Sequence, residues 1–302
     1  MTSTLTRSGT ITALMTSVAM VAFAANSVLA RAALRDAGTD PGTFAAIRLC
    51  SGAAFLLILV AATRGPATAR STMSAHAWLS GAALFTYAAC FSYAYLSLGA
   101  GTGALILFGV VQSAILGTAV IKGERPTILA LSGLGIAMAG LVVLVGPGVS
   151  APNPLGASLM VVAGLSWAVY TLRGRRAQDA VLGTAANFVH ATPAALMLLV
   201  ALVAVGAERM SASGLVLALA SGALASGLGY ALWYAVLPSL SRTNAGIVQL
   251  TPAPIAALAG LLLIGEPITI RVIVAAILIL GGVALALIRP NRSASSDGSP
   301  DA

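Results

Sequence analysis

The chain has 302 residues, of which 59% are apolar and only 24 are Asp, Glu, Lys or Arg, with a net charge of +8 and a mean hydropathy of +0.98. A soluble fold of this size needs about a quarter of its residues charged to clothe its surface. Soluble enzymes, nucleic-acid binders and disordered proteins are therefore excluded, and the basic balance is read as membrane topology.

Residues 8–30, 49–63, 71–121, 126–172, 180–207, 210–241, 243–265 and 272–288 carry no charged side chain. A hydrocarbon core about 30 Å thick takes about 20 apolar residues of helix, and on that measure these runs divide into ten spans. The first is 8–30. Its end, Ser27-Val-Leu-Ala30, has the outline of a signal-peptide cleavage site, but the apolar stretch is too long for one and nine spans follow it. The second runs from Pro41 to about Ala62 and contains one charge, Arg48. The run 71–121 breaks at Gly99-Ala-Gly-Thr-Gly103 into spans at 75–97 and 101–121. The next breaks at Gly146-Pro-Gly-Val-Ser-Ala-Pro-Asn-Pro154 into 127–145 and 155–172. Spans seven, eight and nine take the three following runs, and 268–288 closes the series. The expected fold is an all-α integral membrane protein.

Basic residues orient it. With the N-terminus inside, one side holds Arg7, Arg64, Arg70, Lys122, Arg125, Arg173, Arg175, Arg176, Arg242, Arg289 and Arg292, and the other holds Arg31, Arg35, Arg209 and Arg271. Eleven against four predicts that both termini are cytoplasmic, in a multi-pass protein of the plasma membrane. Residues 1–9 are a cytoplasmic N-terminus, and the Ser-, Asp-, Gly- and Pro-rich residues 290–302 read as a disordered cytoplasmic tail.

The chain repeats itself. Ile121-Lys-Gly-Glu-Arg-Pro-Thr127 after span four returns as Ile264-Gly-Glu-Pro-Ile-Thr269 after span nine, 142 residues on. Ser97-Leu98 matches Ser239-Leu240 at the same offset, and Ala22-Phe-Ala-Ala25 matches Ser166-Trp-Ala-Val169 at 144. Five spans per copy, at 10–148 and 152–289, force the second copy upside down, the arrangement of many carriers. On these features the chain resembles the EamA branch of the drug/metabolite transporter superfamily. The supporting residues are the Gly-Glu motifs, Thr251-Pro-Ala-Pro254 in span nine and Pro41-x-x-Phe-x-x-x-Arg48 opening span two. The resemblance implies a secondary transporter of small polar or amphipathic metabolites, often amino acids, with a cavity between its halves. This chain departs from the family at Gln112, where a proline matching that of span nine is common.

Sixteen aromatic residues are unevenly spread. Tyr87, Phe91 and Tyr95 recur at four-residue spacing in span three, Trp167 and Tyr170 lie in span six, and Tyr230, Trp233 and Tyr234 share a face of span eight. Such residues line a cavity or pack a core, and Tyr and Trp in hydrocarbon need partners for their OH and NH groups. Trp78, at the start of span three, suits an interfacial belt. Polar groups inside the slab are the second signal. Arg48 is about 10 Å from the membrane boundary, close enough to snorkel outward, to bond helix-end carbonyls or to bind a substrate carboxylate. His190, its partner at the 142-residue offset, reads as a proton shuttle, a substrate ligand or a satisfied structural histidine. Asn26, Gln112, Gln249 and Thr251 add neutral contacts. Pro252 and Pro254 free helix carbonyls near the middle of span nine, as a kink or as the broken helix of a binding site. Glu124 and Glu266 lie between helices, where a carboxylate caps exposed NH groups.

No Asp or Glu lies well inside a span, so carboxylate-based ion coupling has little support. Cys50 and Cys90 support neither a disulfide framework nor a metal cluster, and no cofactor, metal or nucleic acid is expected. The stripes of Gly133, Gly135, Ala137, Ala139 and Gly140, of Ser221, Ala225 and Gly229, and of Gly281 and Gly282 suit close helix packing, within one bundle or in a homodimer. The expected function is export of an amino acid or other small metabolite across the plasma membrane by alternating access. The alternatives are an integral-membrane enzyme, for which His76 and His190 supply no reactive constellation, and a channel.

Overall fold

The computed structural model describes residues 2–70, 77–121, 127–148, 151–174, 179–240, 245 and 248–287. Among them every regular element is helical. The elements are α1 (Thr2–Arg31), which continues as a π-helical turn (Ala32–Asp36), α2 (Pro41–Arg64), α3 (Pro66–Arg70), α4 (Trp78–Ala94), α5 (Ala100–Ile121), α6 (Ile128–Val145), α7 (Pro154–Gly174) and α8 (Ala180–Ala204). There follow α9 (Ala212–Ala220), a π-helical segment (Ser221–Leu228), α10 (Gly229–Val236), α11 (Pro252–Ile264) and α12 (Ile270–Leu287). Among the described residues seven helical stretches are long and apolar enough to cross a membrane, and Pro252–Ile264 and Ile270–Ala286 are shorter apolar helices. Glu124 and residues 290–302 lie outside the described residues.

Polar side chains occupy the helix starts, where four backbone NH groups lack intrahelical partners. Asp40 accepts from the Thr43 amide at 2.7 Å, Asp179 from Val181 and Leu182 at 3.0 Å, and Thr127, Asn153 and Ser211 do the same for α6, α7 and α9. Between the caps the helices are apolar on all sides. Ile58, Met197, Val200, Leu262 and Ile277 are more than 60% exposed, the face expected of a helix against lipid.

Helices that correspond at the repeat offset lie against each other, running in opposite directions. Along α2 and α8, Gly42 faces Leu202, Gly52 faces Phe188, and Arg64 pairs with Asp179. Along α6 and α12, Gly133 abuts Ala286, Gly140 abuts Ile279, and Arg271 donates to the Gly146 and Pro147 carbonyls. Helix α5 meets α11 at Gly101 and Ala257. The remaining large contacts exchange in the same way: α1 packs on the 221–236 stretch, and their repeat counterparts α7 and α4 pack on each other. The small residues at these crossings let backbones approach closely, as the glycine stripes anticipate.

Candidate functional site

Arg48 sits two turns into α2, whose start is fixed by the Asp40 cap and Pro41. It is 1% exposed. Its Nε donates to Ser226 Oγ at 2.9 Å, and Nη2 donates to Tyr230 Oη at 2.7 Å and Tyr87 Oη at 3.2 Å. The guanidinium lies over the Phe91 and Tyr87 rings, 4.8 and 5.2 Å from their centroids. Nη1 is buried with no hydrogen-bond partner. The side chain therefore does not snorkel, and its bonds go to neutral hydroxyls rather than to helix-end carbonyls.

Ser226 belongs to the π-helical segment, and this explains its reach. Winding with i to i−5 bonds, as between Gly229 N and Leu224 O, rotates Ser221 and Ser226 onto one side. Both donate to Asn26 Oδ1, at 2.7 and 3.2 Å, while Asn26 Nδ2 stays unbonded. π-Helical turns are rare and frequently sit at functional sites. Gly222 makes the crossing feasible, since a Cβ there would collide with the Arg48 carbonyl.

The aromatic sets of the three spans meet around this network. Trp167 is 4.6 Å from Tyr230, 4.9 Å from Tyr87 and 5.0 Å from Tyr170, centroid to centroid. Phe91 links Tyr87 to Tyr95, and Tyr234 stacks on Tyr170 and donates to its backbone carbonyl. Phe23 of α1 touches Trp167, Tyr230 and Trp233, and Phe188 of α8 touches Tyr230. The indole NH groups of Trp167 and Trp233 are buried without partners.

Phe23, Phe188, Ser221 and Ser226 escaped the sequence reading as site residues. Phe23 stands in the repeat match Ala22-Phe-Ala-Ala25, which was the available signal, whereas Phe188 had none. Ser221 reads as a packing residue because a 3.6-residue period cannot reveal a π-helical stretch.

The other candidates are placed elsewhere. His190 lies against the exposed Trp78, 4.6 Å between ring centroids, with Nδ1 bonded to the Ala186 carbonyl at 2.7 Å. Since a carbonyl only accepts, Nδ1 carries the proton. Gln112 is buried on α5. Gln249 is buried with Oε1 unbonded, and Thr251 is exposed, its hydroxyl donating to Val248 O at 2.7 Å. Pro252 opens α11 rather than interrupting it, so the irregular stretch is Gln249–Thr251, just before the prolines.

Glu266 is a cap, but not of the helix that follows it. Its Oε2 accepts from the Ala100 amide at the start of α5 at 2.7 Å, and Oε1 receives Arg31 Nε at 2.6 Å. Arg31 also donates to the carbonyls of Tyr95 and Leu96. Beside this pair a cavity of about 240 Å³ is lined by Arg35, Thr102, Pro267, Thr269 and Val272 among others. Among the described residues no three His, Cys, Asp or Glu side chains could share a metal ion.

Comparison with known proteins agrees with this architecture. An uncharacterized protein of Pseudomonas aeruginosa is 47% identical over 288 residues, which cover 95% of this chain and 98% of that protein. A protein of known crystal structure, 22% identical, superposes with a TM-score of 0.66 over 93% of this chain and 98% of its own, a likeness of fold. Residues 10–146 and 154–288 each match the EamA-like transporter family. The chain is a membrane protein that belongs to the EamA-like transporter family, within the drug/metabolite transporter superfamily.

Proposed function

We propose that the protein is a secondary transporter that exports an amino acid or another small organic metabolite across the plasma membrane by alternating access. The reading takes the chain as ten spans in two inverted five-helix repeats, 10–148 and 152–289, with both termini cytoplasmic. The observation that carries it is the Arg48 cluster. Polar groups deep in an apolar bundle, some left without partners, mark a substrate path more often than a scaffold. This cluster draws its members from both repeats: Asn26, Arg48 and Tyr87 from the first, Trp167, Ser226 and Tyr230 from the second. The exchange of helix pairs between corresponding elements supports the rocking of one repeat against the other.

Contacts at both ends of the bundle join the repeats: Arg31 to Glu266 at one, Arg64 to Asp179 and Arg173 to Ser80 at the other. In an alternating cycle one end opens while the other holds. Purified protein in proteoliposomes, loaded with a panel of labelled metabolites, tests the proposal. It predicts saturable flux of at least one compound, lost in Arg48→Ala and Trp233→Ala proteins that still insert. Flux that never exceeds that of protein-free liposomes overturns it.

A further inference from the structure

We propose that the Arg48 site selects a net-anionic ligand, an organic monocarboxylate with an apolar or aromatic body and no ammonium group. This rests on the carrier reading of the same site and narrows its substrate class. Arg48 is a buried cation whose hydrogen-bond partners, Ser226, Tyr87 and Tyr230, are all neutral. The described carboxylates, Asp36, Asp40, Asp179, Glu208 and Glu266, stand at helix ends or in loops. Asp179 and Glu266 are committed to Arg64 and Arg31. A desolvated guanidinium with no counter-ion among the described residues suits a ligand that brings one.

The unused hydrogen-bonding capacity nearest Arg48 is that of donors, and the unbonded Tyr170 hydroxyl farther along the cluster can donate as well. Arg48 Nη1, Asn26 Nδ2, Trp167 Nε1 and Trp233 Nε1 are buried donors with no acceptor. The acceptors among them are taken: Asn26 Oδ1 by two serines, Tyr87 Oη by Arg48 and Tyr230, and Tyr230 Oη by Arg48. A set of surplus donors around a cation fits a group that only accepts, and an ionised carboxylate, with two oxygens and no proton, is such a group.

An ammonium would meet the opposite of what it needs. It would face the charge of Arg48, and the two ring faces nearest that charge, Tyr87 and Phe91, already carry the guanidinium. Among the buried orphans Gln249 Oε1, on the stretch before α11, is the one group that only accepts, while the Ser27, Thr43, Tyr170 and Thr171 hydroxyls can donate to a carboxylate as well as accept. The ligand's body would lie among Phe23, Trp167, Phe188 and Tyr230.

Matched probes on purified protein test this, read by thermal unfolding and by tryptophan fluorescence. They are 3-phenylpropanoate, its primary amide, phenylalanine and 3-phenylpropylamine, with hexanoate, hexanamide and hexylamine as an aliphatic series. The expected result is carboxylate binding at least about tenfold tighter than the amide, the zwitterion and the amine in one series, the worth of a charge-assisted bond. Arg48→Gln removes that preference. Trp167→Phe, which keeps an aromatic ring but loses the NH with the second ring, weakens carboxylate binding by roughly two- to tenfold relative to its effect on the amide, so the test survives an unstable Arg48 variant. An amide, amine or amino acid that binds as tightly as its carboxylate overturns the proposal, and so does the failure of both carboxylates to bind. Flux of amines or neutral probes in proteoliposomes would leave the carrier reading standing while this one falls. Carboxylate binding without any flux would do the reverse.

Discussion

At the residue scale the decisive side chain is Arg48. A guanidinium at the centre of a span costs roughly 2.5–3.5 kcal/mol on insertion scales, and each hydrogen bond to a charged group returns about 1.5–3 kcal/mol. Three such bonds to Ser226, Tyr87 and Tyr230 are enough to hold it charged, which is why it stays in the bundle rather than reaching outward. The sequence showed Arg48 because a lone charge in an apolar run is conspicuous, but it could not show the hydroxyls that receive it. His190 illustrates the converse. It corresponds to Arg48 by repeat offset, yet it is tied to its own helix at Ala186 and packed on Trp78. His190→Gln should therefore leave substrate preference and the pH profile of transport unchanged, lowering stability by about 1 kcal/mol through one lost bond. A transport profile that shifts with this substitution would assign the histidine to the path instead.

Glu266 gives a second prediction at this scale. Its carboxylate is 11% exposed and serves both Arg31 and the Ala100 amide. Breaking a buried pair on one side costs roughly 3–5 kcal/mol. Glu266→Ala should lower the unfolding temperature in detergent sharply, while Glu266→Gln, which keeps an acceptor for Ala100, should lose less. Equal and small losses would show that the cap contributes little. That the motif carboxylate is structural was readable from its place between helices. That it reaches back to α5, 166 residues earlier, required the fold.

At the scale of elements the π-helical segment Ser221–Leu228 does the most to shape the site, since it turns two serines toward Asn26 and Arg48 across a close crossing with α2. Gly222 and Gly52 stand where the two backbones meet. Gly222→Ala should destabilise by about 1–3 kcal/mol, the usual cost of overpacking, because beside the Ser51 hydroxyl, which can turn away, stands the Arg48 carbonyl, which cannot. Gly281→Ala on α12 is the matching control: no atom within 4 Å opposes a new methyl, and helix propensity favours alanine by roughly 0.5–1 kcal/mol. Thermal unfolding of the two variants checks both. If Gly281→Ala were instead costly, its face would be covered by a second copy of the chain. The three aromatic helices were legible because their rings recur at helical spacing. Phe188 was not, since a single aromatic in an apolar helix carries no pattern, and Phe23 was marked only by the repeat match around it. The prolines of span nine stand beside the irregular backbone rather than within it: a proline at the first turn opens a helix, and the irregular stretch is Gln249–Thr251.

At the scale of the whole molecule, 24 charges in 302 residues did more than mark a membrane protein. The repeat that they punctuate is visible as three antiparallel pairs of corresponding helices, α2 with α8, α5 with α11 and α6 with α12. Alternating access requires that the Arg48 cluster be reached from each side of the membrane in turn. Its most direct test replaces Cys50 and Cys90 by alanine, introduces Ser226→Cys, and labels the single thiol with a membrane-impermeant maleimide in right-side-out and in inside-out vesicles. Labelling is expected from both sides, with carboxylate ligand slowing each. A thiol protected from both sides would make the cluster a sealed structural core, and the carrier reading would be wrong.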